Sequence, residues 1–124
     1  MPILRFEDTP EFDLSGIRIR GLASPSRGAT ETMTYRVELI GGQQLPEHTH
    51  DHEEVSHVVS GRWFVSVAGE ESDLGPGDTV MIPAGVTHSS RTREGDEAVI
   101  LTSMPTGTAM IRDDGERRSP PWGE

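Results

Sequence analysis

The sequence predicts an all-β domain, a sandwich or barrel of short strands with little helix. Three observations carry this. Strand-like runs recur at short, regular spacing between residues 33 and 104, with Gly, Pro or Asp in the gaps. Glycine and proline number 14 and 9 among 124 residues, more breakers than a helical bundle tolerates. No window of about 11 residues or more holds an apolar period of 3.6. The length is that of one domain with one core.

Taken in order, residues 1–32 form an arm, with a short strand expected around Ile3–Phe6. Ile17 to Leu22 alternates apolar and charged residues, as a half-buried strand does. Ala23 to Thr30 reads as a loop. Residues 33–104 carry the barrel. Met33 to Ile40 puts Met33, Tyr35, Val37 and Leu39 on one face, and Gly41-Gly42 ends it. Further strands are expected at His48–His50, Val55–Ser60, Trp63–Ala68, Thr79–Ile82, Thr87–Thr92 and Ala98–Met104. Residues 105–124 form a polar tail with a turn signal at Asp114-Gly115. Its stiff apolar end, Pro120-Pro121-Trp122, is expected to dock on the barrel or on a partner subunit.

The formal charge of −10 would repel phosphates, so nucleic acid is excluded as a partner on electrostatic grounds. No apolar run reaches the length of a membrane span. The N-terminus lacks a basic segment followed by an apolar one, so the expected compartment is the cytoplasm. There is no cysteine, which removes disulfides, thiolate metal sites and Cys nucleophiles.

All five histidines fall between positions 48 and 88. His48 and His50, two apart in a strand, leave the same face. After them, Asp51-His52-Glu53 is long enough for a tight bend that returns Glu54 on a neighbouring strand beside the imidazoles. His88 opens a later strand after Pro83-Ala84-Gly85. Three imidazoles and one carboxylate suit a divalent transition metal: Fe, Mn, Ni, Co, Cu or Zn. His52 lies in the bend and is read as a surface or supporting histidine. His57 falls on the opposite face from Glu54 and is read as external.

The spacing is sharper than the residue types. Gly42, five residues, His48, one, His50, three, Glu54, six, Gly61 is followed by Gly77, five, Pro83, one, Gly85, two, His88. These nine positions match the two motifs of the cupin superfamily, so the chain resembles a small single-domain cupin over roughly residues 33–104. The resemblance implies a jelly-roll-like conical barrel, a double-stranded β-helix, with His48, His50, Glu54 and His88 as ligands of one interior metal ion. One position departs: Thr92 stands where the second motif usually has Asn, a residue that is not a ligand.

Fold and metal do not fix a reaction. The leading expectation is a metal-dependent enzyme acting on a small oxygenated molecule, with Glu54 as the group that moves a proton. The bend His48–Glu54 is similar to that of small cupins that handle sugar acids or cyclise aromatic polyketides. A dioxygenase of the quercetinase or diketone-cleaving kind is the alternative, and a non-enzymatic sensor or small-molecule-binding module is another. Tyr35, Met33, Ser56, Ser90, Thr92, Thr102 and Met104 are candidate pocket walls by alternation. Trp63, Val65 and Val67 are read as packing and not as a substrate platform. Arg36 and Arg91 are candidate carboxylate binders, with paired surface arginines the commoner case. A two-fold homodimer using Ile3 to Leu22 is expected.

Overall fold

Alternation organises the two central strands. The computed structural model, which describes residues 1–124, sets β3 (Thr32–Ile40) antiparallel beside β10 (Glu97–Pro105). Both bury every second residue. Met33, Tyr35, Val37 and Leu39 face inward with Ala98, Ile100, Thr102 and Met104. The register puts Val37 opposite Ile100 and Tyr35 opposite Thr102. Directly opposed pairs of this kind contribute about 0.2–1 kcal/mol each.

Two six-stranded antiparallel sheets are built from such pairings. The first runs β1 (Glu11–Leu14), β2 (Ile17–Ala23), β3, β10, β5 (Glu54–Gly61), β8 (Thr79–Ile82). The second runs β12 (Arg117–Arg118), β11 (Met110–Arg112), β4 (Gln44–His50), β9 (His88–Arg91), β6 (Trp63–Val67), β7 (Glu70–Leu74). The core draws on both sheets: Ile17, Ile19, Val58 and Ile82 from the first meet Trp63 and Val65 from the second. Helix is confined to single 3-10 turns at Phe6–Asp8, Pro25–Arg27 and Pro121–Gly123. The expected all-β fold is therefore the observed one.

The ends of the chain differ from expectation. Ile3 to Phe6 is not a strand; Phe6 begins a 3-10 turn, and Ile3 and Phe6 are exposed. The edge of β2 is taken instead by Glu11–Leu14, joined to it through a tight hairpin in which Ser15 and Gly16 both have positive φ. Ile17 and Ile19 anchor this pair in the core, and on its outer face Glu11 binds both Arg18 and Arg20. Strand β7 and the hairpin β11–β12 are likewise additions to the expected set. The tail docks on its own barrel. The Trp122 ring meets Phe12 at 6.2 Å and Tyr35 at 5.9 Å, and the Arg27 guanidinium donates to its carbonyl at 2.6 Å.

Two motif glycines separate strain from space. Gly77 has φ +91° with nothing near the place of a side chain. Gly61 has φ +85°, and a Cβ there would lie 1.8 Å from the Glu97 carbonyl oxygen on the neighbouring strand. Gly77→Ala should therefore cost only the left-handed conformation, about 1–2 kcal/mol. Gly61→Ala must also displace β10 and should cost at least about 3 kcal/mol. Urea denaturation of both variants checks this; equal midpoints would contradict it.

Candidate metal centre

Three strands deliver the four donors. His48 and His50 close β4, with His48 directly opposite His88 of β9 in the second sheet. The bend 51–53 then crosses to the first sheet, so Glu54 arrives from the facing sheet and not from a neighbouring strand of the same one. This corrects the expected geometry while keeping its result. Two contacts brace the crossing. The Gly85 N–H donates to the His50 carbonyl at 2.8 Å, tying the Pro83–Gly85 turn to the end of β4. The Asp51 carboxylate accepts from the Ala109 N–H at 2.8 Å and from Arg117 at 2.7 Å, tying the bend to the C-terminal hairpin.

One donor atom from each of His48, His50, Glu54 and His88 lies within 4.8 Å of the others. His50, Glu54 and His88 are buried, at 7%, 7% and 5% exposure. The Nδ1 of His48 donates to the Pro46 carbonyl at 2.7 Å, and the Nδ1 of His88 to the Val86 carbonyl at 3.0 Å. Each ring is thus oriented by the backbone two residues earlier, which leaves Nε2 for the centre, the arrangement typical of metal-binding imidazoles. Glu54 Oε1 sits 3.3 Å from His50 Nδ1 and 3.5 Å from His88 Nε2. Both nitrogens are buried without a hydrogen-bond partner. Such orphaned atoms are costly unless something else occupies them, and a metal ion is what this donor set fits.

Behind Glu54 runs a short chain of hydroxyls. Ser56 donates to Glu54 Oε2 at 2.7 Å and meets the Thr102 hydroxyl at 2.8 Å. These two residues, expected as pocket walls, instead hold the carboxylate from the rear. Burial pushes the Glu54 carboxyl up, but His88, His50 and Ser56 outweigh it and leave it below the usual range. Burial drives His50 down to about 4 and lowers His48 as well. His88 responds to burial in the same sense, but Glu54 beside it raises it overall. Near neutral pH the site therefore offers an ionised carboxylate with His48 and His50 neutral, the forms that bind metal.

The donors stand in a cavity of about 130 Å³ whose walls include Ile19, Tyr35, Val37, Trp63, Val65 and Trp122. Tyr35 and Ser90 line it as expected. Met33 and Met104 are in the core instead. Trp63 and Val65, which the sequence reads as packing alone, are cavity wall as well as core. Thr92 is buried on the face of His88 and Ser90, and its hydroxyl has no partner. His52 is exposed and bonded to Asp51, and His57 is exposed and bonded to Thr79. Arg36 pairs with Glu38, and Arg91 grips Glu71 through two bonds at 2.9 and 3.1 Å. Neither arginine lines the cavity. Arg112 does, from a segment whose sequence reads as polar tail.

The depressed His50 makes a prediction for the protein stripped of metal. Its imidazole titrates near 6.5 when unfolded and at about 4 when folded. Between those values the unfolded chain binds the extra proton, so this contribution to stability is full above about 6.5 and is lost as pH falls toward 4. Tm should fall less between pH 6.5 and 4.5 for His50→Gln than for the wild type. His88 acts with the opposite sign in both proteins, so it does not mask the difference. Equal slopes would contradict this account of His50.

Comparison with known proteins places this geometry in a family. The Cupin domain family matches residues 35–104, the segment holding all four donors. The germin-like protein 3-8 of Oryza sativa subsp. japonica is 39% identical over 75 residues, covering 56% of this chain and 33% of the relative. The chain thus spans about a third of that protein's length. Among solved structures, the polyketide cyclase RemF from Streptomyces resistomycificus superposes with a TM-score of 0.78 at 21% identity, over 96% of this chain and 82% of the other. An RmlC-like cupin from Shewanella frigidimarina gives 0.73 at 24%, over 90% and 92%. KdgF from Halomonas sp. gives 0.70 at 27% identity, over 89% and 94%. With the family match spanning more than half the chain and the same barrel recurring in these structures, the protein belongs to the cupin family.

Proposed function

We propose that the protein is a metal-dependent enzyme acting on a small oxygenated molecule held in the barrel cavity. The observation that carries this is the convergence of His48, His50, Glu54 and His88 within 4.8 Å at an apolar cavity. These four residues would hold one divalent transition metal, and such an ion supplies Lewis acidity toward a carbonyl or enol oxygen when bound. Glu54 is the residue that moves a proton. Its Oε2 is held by Ser56 and its Oε1 faces the cluster, so the carboxylate is fixed in place and would accept a proton through Oε1 on releasing the ion. Tyr35, Trp63 and Trp122 shield the site from bulk water. The aromatic and aliphatic part of the wall, Tyr35, Trp63, Val65 and Trp122, favours a polyketide-like or aromatic substrate over a sugar acid, whose several hydroxyls would find few replacement partners along it.

Elemental analysis and turnover test the reading together. His50→Ala and His88→Ala should each weaken metal binding by at least about 100-fold. Circular dichroism should show the barrel still folded after chelation, because strands and not the ion place the donors. Glu54→Gln should lose about 10²–10⁴-fold in rate even when saturated with metal. Activity that returns with excess metal would make Glu54 a ligand only. Unchanged metal content in the double variant His50→Ala/His88→Ala would remove the site altogether.

We also infer a two-fold homodimer that uses the N-terminal segment. Ile3, Phe6 and Leu14 are 66%, 57% and 47% exposed on one short stretch of chain, more apolar surface than so small a domain leaves uncovered without reason. Light scattering at micromolar concentration should give the dimer mass. A monomer would end this inference without touching the metal site.

A further inference from the structure

The basic residues of this chain are all arginines, 11 of them with no lysine. Arg18, Arg20, Arg36, Arg62, Arg91, Arg93, Arg117 and Arg118 pair with carboxylates. Arg27 donates to the carbonyls of Leu22 and Trp122. Only Arg5 and Arg112 make no side-chain hydrogen bond or ion pair, and of these Arg112 alone lines the cavity. In a chain carrying a formal charge of −10, an unclaimed guanidinium at that place is notable chemically.

Its position is well defined. Arg112 ends β11 directly opposite His48 in the antiparallel register, so the two side chains leave the same face of the sheet. Its backbone is pinned at the hairpin turn: its N–H donates to the Glu116 carbonyl at 2.9 Å, and its own carbonyl accepts from the Gly115 N–H at 2.9 Å. The residue is exposed, which puts the guanidinium at the mouth, while the aromatic and aliphatic wall lies deeper. Glu47, also exposed, lines the same mouth and forms no ion pair with it.

We propose that Arg112 is the anion-recognition residue of the cavity, and that the ligand is a small apolar acid, a carboxylate or phenolate on an aromatic or aliphatic body. This rests on the cavity being a ligand site, as in the function proposed above, and specifies what enters it. The guanidinium offers a planar fork of donors to the anionic head. The body of the ligand packs on Tyr35, Trp63 and Trp122, where about 130 Å³ accommodates roughly one aromatic ring.

The two tryptophans of the chain, Trp63 and Trp122, both line the cavity, so intrinsic fluorescence reports occupancy directly. The probes are 4-ethylbenzoate and its neutral isostere 4-ethylbenzamide, titrated into full-length protein stripped of metal. The wild type should bind the acid about tenfold more tightly than the amide. Arg112→Gln should bring the two to parity while leaving amide affinity and metal content unchanged, and Arg112→Lys should restore part of the preference. The proposal is overturned if the wild type shows no preference, if the preference survives in Arg112→Gln, or if neither probe alters the fluorescence. Because the titration omits metal, a charge preference that vanishes with Arg112 stands even if the four-residue centre proves to bind no ion. Intact metal binding without any preference would sink this inference alone.

Discussion

A carboxylate and three imidazoles held against an aliphatic and aromatic interior set the terms for the rest of the molecule. Burying such groups is expensive, and the cost is offset only if their polar atoms find partners. Here the partners are arranged in two tiers. Backbone carbonyls at Pro46 and Val86 take one nitrogen from each of His48 and His88, and Ser56 takes one oxygen of Glu54. The atoms left over face each other across a few ångströms. Strands, turns and the docked tail then keep that small volume from water. The same groups cannot relax apart, because His48 and His88 are fixed by a strand register and Glu54 by the facing sheet.

That division of labour explains why the two motif segments must touch. The bend after His50 carries the chain from one sheet to the other in three residues. Its closure relies on Gly85 bonding to the His50 carbonyl and on Asp51 bonding to the C-terminal hairpin. The hairpin in turn brings Arg112 beside His48. Elements far apart in sequence thus share one job, and the tail beyond the matched family segment contributes to both the wall and the mouth of the cavity.

The legible part of the sequence was the part where burial imposes a period. Met33 to Ile40 and Ala98 to Met104 alternate because one face is core, and both are strands. The four donors were legible because their spacing repeats a known pattern of turns and strands. Polar edge strands carry no such signal. Glu70–Leu74 has four exposed residues out of five and pairs on one side only, so nothing in its residues distinguishes it from a loop. Ile3 to Phe6 misled for the converse reason, since apolar residues there are left exposed and build no strand. Arg112 lay in a segment read as tail; the apolar pair Met110-Ile111 just before the Asp114-Gly115 turn was the cue for a hairpin. That Glu54 crosses to the facing sheet could not be read at all, because a three-residue bend is equally compatible with a return beside the same strand.

The central claim is that four side chains from two facing sheets form one metal centre. Anomalous diffraction from a crystal of metal-loaded protein, recorded at the absorption edge of the metal found by elemental analysis, tests it most directly. The account predicts a single anomalous peak among His48, His50, Glu54 and His88, with each donor atom at about 2.0–2.2 Å. A peak elsewhere, or one that leaves Glu54 or any of the three imidazoles outside bonding distance, would contradict it.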